Sequence, residues 1–255
     1  MNSWAIAAPA AIACAAAGIT AYGAAFPRAQ LFGRTICRTN RPNKLAITFD
    51  DGPNPASTPK LLDLLDRYEA KATFFLIGRF VRERPDLVKE IVARGHSLGN
   101  HTHTHPNLFW LAPARIAEEL CVCQETIGEV VGAGPSWFRP PFGMRNPWVI
   151  PAAAALGCQT VMWTLIPGDW LEKPAEWLIE RMNPIAAHAR KKLLSGAGDA
   201  GRLLGDILCL HDGGHRGLNA DRTRTLAALQ HWLPRWRDLG LDFVTMDVAV
   251  QAPAS

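Results

Sequence analysis

Short apolar runs alternate with longer amphipathic stretches from Leu45 to the end of the chain. The short runs stop at glycine, proline or charged residues and predict buried strands. The stretches between them repeat apolar residues at helical spacing, and several begin near a proline, which suits a helix N-terminus. The predicted strands are Leu45–Phe49, Ala72–Ile77, Ser97–Asn100, Ser136–Arg139, Gln159–Trp163, Asp206–His211 and Phe243–Met246. The predicted helices are Thr58–Tyr68, Pro85–Arg94, Pro113–Val130, Asn146–Leu156, Pro174–Leu194 and Arg222–Leu239.

The alternation of strands and helices predicts an α/β fold, in which crossover helices connect the strands of a parallel sheet. Seven predicted strands indicate an incomplete barrel. The length of 255 residues fits one large domain, because α/β barrels run to about 200–250 residues. Ser195–Gly201, before the sixth strand, is predicted to be a flexible surface loop.

Two adjacent carboxylates, Asp50 and Asp51, follow the first strand and precede a Gly52-Pro53 turn. Inside a strand, neighbouring side chains point to opposite faces, so the two could not serve one site from there. At the C-terminal end of the strand both can reach one cleft, where one carboxylate can hold a cation and the other can move a proton. An Asx-type turn, in which an Asp only caps its own backbone, explains the Asp pair equally well.

Three histidines within five residues, His101, His103 and His105, favour the chemical interpretation. His101 and His105 are four positions apart, so one helical turn would place them on one face at metal-chelating separation. Pro106 would end that turn. An extended segment would instead put all three on one face, which keeps His103 as a secondary candidate. Two imidazoles and one carboxylate leave an open position on a tetrahedral Zn²⁺, which is typical of a catalytic site.

The chain resembles the polysaccharide deacetylase family in Thr48–Pro53 and His101–His105. This family includes chitin, chito-oligosaccharide and peptidoglycan N-acetylglucosamine deacetylases. Three further motifs follow in the family's order, namely Arg139–Gly143, Asp169-Trp170 and Leu208–His211. The resemblance covers roughly residues 43 to 250, and five ordered motifs are far more specific than any one of them. It implies a distorted (β/α) barrel with its chemistry at the C-terminal strand ends.

The resemblance also implies a metal and a base. Asp51, His101 and His105 would hold a divalent metal, zinc being expected and cobalt or a similar ion the alternative. Asp50 would be the catalytic base, because it lies within reach of a water that the cation makes more acidic.

Three more polar residues receive roles from the resemblance. His211 would be the general acid that protonates the departing amine, since an imidazole titrates in the right range. Arg139 would pair with Asp169, and that pair would orient or tune the base. An ion pair with a purely architectural role explains Arg139 almost as well.

Substrate contacts complete the implied site. A backbone N–H near Phe142 would help to stabilise the tetrahedral oxyanion. Trp170 and Leu208 would line the pocket for the sugar face and the acetyl methyl, although either could equally belong to the core. The full implied set is Pro141, Phe142, Gly143, Trp170 and Leu208. The sequence differs from the family pattern at Ile166, where the family usually has a second Asp. This difference puts the placement of the substrate in doubt, but not the binding of the metal.

Composition and charge limit the classes of partner that the sequence indicates. A hydrophobic fraction of 48% is that of a globular protein, and a net charge of +4 is too mild to indicate nucleic acid. The six cysteines form no metal-spaced or disulfide-scaffold pattern, and we predict reduced thiols.

The chain begins with an uncharged, alanine-rich stretch, Ser3–Phe26, that is long enough to span a bilayer. We predict that residues 1–26 form an uncleaved membrane anchor, followed by a basic linker at 27–42 and a catalytic domain at 43–250. The basic residues after the stretch favour a cytoplasmic domain, whereas the resemblance implies exported wall polymers as substrates, so the membrane face stays open. The alternative is a signal peptide that is cleaved after Ala21-Tyr22-Gly23, with export of the mature protein.

The leading hypothesis is a metal-dependent hydrolase that removes N-acetyl groups from N-acetylated amino sugars in polysaccharide or oligosaccharide. The nearest alternative keeps the chemistry but acts on a lipid-linked amino sugar, which is deacetylated or deformylated at the membrane. A third reading is a catalytically dead, membrane-tethered saccharide-binding module, which only Ile166 supports.

Overall fold

The computed structural model describes residues 4–194 and 204–251 and contains a sheet of seven parallel strands. The sheet has the order β5-β4-β3-β2-β1-β6, and β7 pairs with the start of β1. The strands are β1 Lys44–Gly52, β2 Ala72–Leu76, β3 Ser97–Asn100, β4 Trp137–Phe138, β5 Gln159–Thr160, β6 Asp206–His211 and β7 Asp242–Phe243. The predicted parallel α/β architecture is therefore confirmed.

Helices connect these strands as the alternation predicts, and α3 and α9 are additional short helices that the sequence pattern does not indicate. The predicted strand Phe243–Met246 is wrong beyond Phe243, because α9 begins at Met246. The helices are α1 Trp4–Ala25, α2 Thr58–Arg67, α3 Gly78–Glu83, α4 Pro85–Ala93, α5 Pro113–Val131, α6 Val149–Ala155, α7 Ala175–Leu194, α8 Thr223–Asp238 and α9 Met246–Ala249. The predicted loop Ser195–Gly201 lies outside the described residues.

The barrel is distorted where β5 ends early. The sequence predicts a strand as far as Trp163, but regular pairing with β4 ends at Thr160. The Val161 N–H still donates to the Phe138 carbonyl of β4 at 2.8 Å, and Val161 also forms a parallel bridge with Ile36. Further along, Leu165 forms a parallel bridge with Leu208 of β6, and its carbonyl accepts a hydrogen bond of 2.9 Å from the Cys209 N–H. This irregular segment therefore links the β5 edge of the sheet to β6.

The central strand β1 is buried on both faces, as expected for a parallel sheet covered by helices. Every residue of β1 after Lys44 is buried, and Phe49 stacks on Phe74 of β2 with ring centroids 5.0 Å apart. Helix α8 covers this core with Trp236, which is fully buried. This buried central strand therefore carries the two adjacent carboxylates at its C-terminal end.

The N-terminal arm packs on the barrel through Arg145. This buried guanidinium donates hydrogen bonds to the carbonyls of Phe26 and Ala29, at 2.5 and 3.1 Å, just after α1 ends. The basic segment 27–42 continues along the domain. Among the described ranges, no helix combines the length and the apolar character needed to cross a membrane. The cellular location of the chain stays a prediction.

Candidate active site

A β-bulge brings Asp50 and Asp51 to the same end of the barrel. The register between β1 and β2 shifts between Asp50 and Gly52, and Asp51 has a left-handed φ of 71°. A bulge adds an unpaired residue and re-aims the side chains beside it. It therefore removes the alternation that would have separated the two carboxylates. Aspartate tolerates this backbone conformation better than most residues.

The two candidate metal-ligand histidines, His101 and His105, come together in a loop, so the predicted helical turn at His101–His105 is wrong. Thr102 and His105 both have a positive φ, of 67° and 63°, which a right-handed helical turn does not allow. Side chains hold the loop: the Asn100 side-chain oxygen accepts from the Thr102 N–H, and the Thr102 hydroxyl accepts from the His105 N–H. Residues in the left-handed backbone conformation bring the two imidazoles together, and the spacing of a helical turn plays no part.

His103 is directed away from this site. Its Nδ1 lies close to Gly78 at the start of α3, where even an added Cβ atom would come within 2.6 Å. Its backbone N–H donates to the Glu119 carbonyl on α5. We therefore leave His103 out of the candidate metal ligands.

Asp51, His101 and His105 form a cluster that fits a divalent cation. One oxygen of Asp51 lies 3.1 Å from His105 Nε2 and 3.5 Å from His101 Nε2. That oxygen is buried, yet it accepts no well-directed hydrogen bond from the residues described. Three donor atoms within 4.8 Å of one another point towards a common centre. One carboxylate and two imidazoles are a donor set that suits zinc with an open position.

The charge states of these groups suit metal binding. Burial alone would raise the pKa of Asp51, but the neighbouring imidazoles of His101 and His105 outweigh burial and hold that pKa well below its ordinary value. Burial lowers the pKa of His105 in spite of the attraction of Asp51. The cluster therefore offers an ionised carboxylate and a neutral His105, which is the state that binds a cation.

Arg139 pairs directly with Asp50, which corrects the predicted pair of Arg139 and Asp169. Its Nη1 donates to Asp50 Oδ1 and to the Thr48 hydroxyl, both at 2.7 Å. The guanidinium is completely buried and lies over the ring of Phe75, 4.1 Å from its centroid. The second oxygen of Asp50 stays on the side of the metal-ligand cluster, 3.9 Å from His101 Nε2.

Asp169 instead holds His211. One carboxylate oxygen lies 2.8 Å from His211 Nδ1, and the other accepts the His211 backbone N–H at 2.8 Å. The Thr225 hydroxyl of α8 donates to that second oxygen at 3.0 Å. Burial by itself lowers the pKa of His211, but the adjacent Asp169 charge outweighs burial and raises the pKa to about 9. His211 is therefore protonated at neutral pH.

An open cleft of about 970 Å³ lies over these groups. Phe142 and Gly143 line it from one side, and Trp170, with 46% of its surface exposed, packs edge-on against the His211 ring. Ile166, at the position where the family usually has Asp, also lines the cleft.

Two of the predicted substrate contacts do not reach the cleft. Leu208 is completely buried in the main core, because its position in β6 faces the helices, and Pro141 is buried beneath the rim. Neither residue lines the cleft. These two predictions are therefore corrected.

Sequence analysis missed two residues of this region. Cys209 was assigned only to the pool of reduced thiols, yet its Sγ lies 3.3 Å from Asp50 Oδ2. Its position before His211 on a strand that ends at the site was the available signal. The sequence gives His215 no role, because the direction of the glycine-rich loop after His211 cannot be read from the sequence. The structure places His215 in the cleft, stacked on His105 with ring centroids 4.8 Å apart.

Replacing Arg139 with methionine should destabilise the protein by about 3–5 kcal/mol, because the buried carboxylate of Asp50 would lose its cationic partner. Urea unfolding of the metal-free protein measures the loss. Arg84→Met, which breaks an ion pair at the surface, is the matched control and should leave stability nearly unchanged. Equal stability of the two variants would contradict the structural importance of the buried pair.

The fold and the site together define an α/β barrel whose cleft combines a cluster that could hold a metal ion, a separate carboxylate and a protonated histidine. A protein-family model described as Polysaccharide deacetylase matches residues 38–161. A peptidoglycan-N-acetylglucosamine deacetylase of Bacillus cereus is 38% identical over 207 residues, which are 81% of this chain and 88% of that protein. The chain belongs to the polysaccharide deacetylase family.

Two further similarities agree with this assignment. A chitooligosaccharide deacetylase of Azorhizobium caulinodans is 32% identical over 212 residues, covering 80% of this chain and 93% of the relative. The crystal structure of a peptidoglycan N-acetylglucosamine deacetylase bound to 4-naphthalen-1-yl-N-oxidanyl-benzamide superimposes with a TM-score of 0.71 at 27% identity. That alignment covers 86% of this chain and 92% of the other.

Proposed function

We propose that this protein is a metal-dependent N-deacetylase that removes acetyl groups from N-acetylglucosamine residues of a glycan. The observation that carries the proposal is the convergence of Asp51, His101 and His105 beside a second carboxylate, Asp50. The relatives named as peptidoglycan-N-acetylglucosamine and chitooligosaccharide deacetylases support the substrate class. Both names specify an amide on an amino sugar.

The metal would be held by Asp51, His101 and His105, and zinc is the ion expected from this donor set. When bound, a divalent cation supplies positive charge that polarises the amide carbonyl and makes a water molecule more acidic. The chain itself provides the two proton-transfer groups and the walls of the cleft.

Asp50 is the group placed to accept a proton from the attacking water. Arg139 occupies its Oδ1, which leaves Oδ2 as the oxygen on the side of the metal ligands. The buried ion pair with Arg139 fixes the direction of the Asp50 carboxylate. A base held in this way acts without first reorganising its surroundings.

His211 is the group placed to give a proton to the leaving amine. Asp169 binds Nδ1, so Nε2 is the nitrogen left to carry the proton that is donated. Amide cleavage needs this step, because an amine leaves far more readily than an amide anion. The backbone near Phe142, on the cleft wall, would stabilise the negative charge on the carbonyl oxygen, and Trp170 would pack against the sugar.

Acetate release from chitooligosaccharides and from peptidoglycan fragments tests the proposal. We expect acetate in both assays after zinc or cobalt is supplied, and a loss of at least about 100-fold after treatment with a chelator. Restoring the metal should restore the rate. Failure of the metal-loaded protein to release acetate from any N-acetylglucosamine glycan would overturn the proposed function.

A further inference from the structure

The two candidate histidine ligands are held in different ways. His101 Nδ1 lies 2.7 Å from the Arg139 carbonyl oxygen, a hydrogen bond that fixes the ring and its tautomer. His105 Nδ1 is buried and has no hydrogen-bond partner within the parts of the chain that the structure describes. Metal-binding histidines are normally oriented by a hydrogen bond from their second ring nitrogen. Something else must therefore orient His105.

Ring packing takes the place of that hydrogen bond. The imidazole of His215 lies face to face with His105, with centroids 4.8 Å apart and an angle of 15° between the planes. Phe142 presents its edge to His105 at 4.6 Å and 72°, and it also contacts His215 at 5.4 Å. His105 is thus enclosed between two rings, and rotation about its χ2 angle would collide with one of them.

The parallel stacking argues against His215 as a fourth ligand. The two imidazole planes are nearly parallel and stacked, so His215 presents its ring face to His105. His215 Nδ1 stays 4.0 Å from the nearer oxygen of Asp51. Its face, not its nitrogen atoms, makes the main contact with the metal-ligand cluster.

The loop that carries His215 is itself fixed. The Arg79 guanidinium donates to the His215 carbonyl, and Arg222 donates to the Gly213 carbonyl with Nε at 2.8 Å. These bonds hold the backbone on either side of Gly214. The side chain of His215 remains partly exposed at 38%, so changing it does not open the core.

We infer that His215 is a positioning residue of the metal site, whose ring packs against His105 and holds it in the orientation that binds the cation. This inference rests on the proposed metal-dependent function and adds to it a residue outside the five family motifs. The packing surface matters for the role, and the ring nitrogens do not. Phenylalanine should therefore replace His215 well, and alanine should not.

Competition with a chromogenic chelator measures zinc affinity directly, without an activity assay. His215→Ala should weaken zinc binding about 10–100-fold, which is the usual effect of losing a partner that orients a ligand. His215→Phe keeps an aromatic face over His105 and should bind zinc nearly as tightly as the unaltered protein. His231→Ala, which removes another imidazole packed on an aromatic ring, at Trp232 on α8, is the matched control and should leave the affinity unchanged.

Two outcomes would overturn the inference. Unchanged zinc affinity in His215→Ala would mean that His105 is oriented without this ring. Equal losses in His215→Ala and His215→Phe would assign the effect to the imidazole nitrogens and not to packing. Failure of the proposed function is distinguishable, because it would appear as absence of acetate release by the unaltered, zinc-loaded protein, whereas this inference is decided by the zinc affinities of the variants. Circular dichroism and thermal unfolding of each variant confirm that it is folded.

Discussion

Asp50→Asn is expected to lower kcat for deacetylation by about 10²–10⁴-fold, the range typical of a lost general base. Asparagine has nearly the same shape and can still accept the Arg139 hydrogen bond through its side-chain oxygen, but it cannot take a proton from water. Zinc affinity should change little, because the donor cluster consists of Asp51, His101 and His105. Acetate release and chelator competition on the same preparation measure the two effects.

Asp86→Asn is the matched control for this substitution, since it changes an exposed carboxylate that pairs with Arg84 at the surface. Its kcat and zinc affinity should equal those of the unaltered protein. A parallel loss of zinc in Asp50→Asn would show that Asp50 is a ligand and not a base. Retention of more than about a tenth of kcat would remove Asp50 from the role of base altogether.

Much of the fold follows from local sequence pattern, because each parallel strand is an apolar run bounded by turn residues. The predicted bounds of β3 and β6 agree with the structure, and β1 and β2 differ by a few residues. The strand predicted to end at Trp163 stops at Thr160, which pairs with Phe138, the last residue of β4, and the next residue, Val161, forms a bridge with Ile36 of the distant N-terminal arm. Helix α3 follows only six residues after β2 begins, and its short amphipathic pattern carries little periodic signal.

For the candidate site, too, short motifs in the sequence identify some features, whereas other features depend on the folded backbone. Asp50, Asp51, His101 and His105 were recognisable because their chemistry sits in short contiguous motifs. Their mutual placement was not, since it depends on positive φ angles at Asp51, Thr102 and His105. Left-handed conformations at non-glycine residues are uncommon and leave no periodic pattern.

Long-range partners were the hardest to predict. Arg139 was expected to bind Asp169, yet the barrel interior brings it to Asp50, 89 positions away in sequence. Asp169 instead meets His211, which is 42 positions away. Choosing between two carboxylates for one guanidinium requires the positions of all the strand ends, and a linear sequence does not contain them.

The pairing of His211 with Asp169 predicts a second large effect. Burial alone lowers the pKa of His211, and the Asp169 carboxylate reverses that shift and raises the pKa to about 9. A general acid works in its protonated form, so activity should persist through neutral pH and fall as the pH rises through about 9. In Asp169→Asn the opposing charge is gone while burial remains. The alkaline limb of the profile should therefore move down, towards or below the ordinary histidine value of about 6.5.

Asp169→Asn should also reduce kcat at neutral pH by about 10²–10⁴-fold, because an amide can hold the wrong tautomer of His211 and no longer stabilises its cation. Thr225→Val is the graded control: it removes one hydrogen bond to Asp169 but keeps the charge, and so should lower kcat much less and leave the alkaline limb in place. The measurement is kcat for acetate release from about pH 5 to pH 10 for all three proteins. Identical alkaline limbs in the unaltered protein and Asp169→Asn would mean that His211 is not the acid, because its pKa depends on Asp169 more than on any other charge.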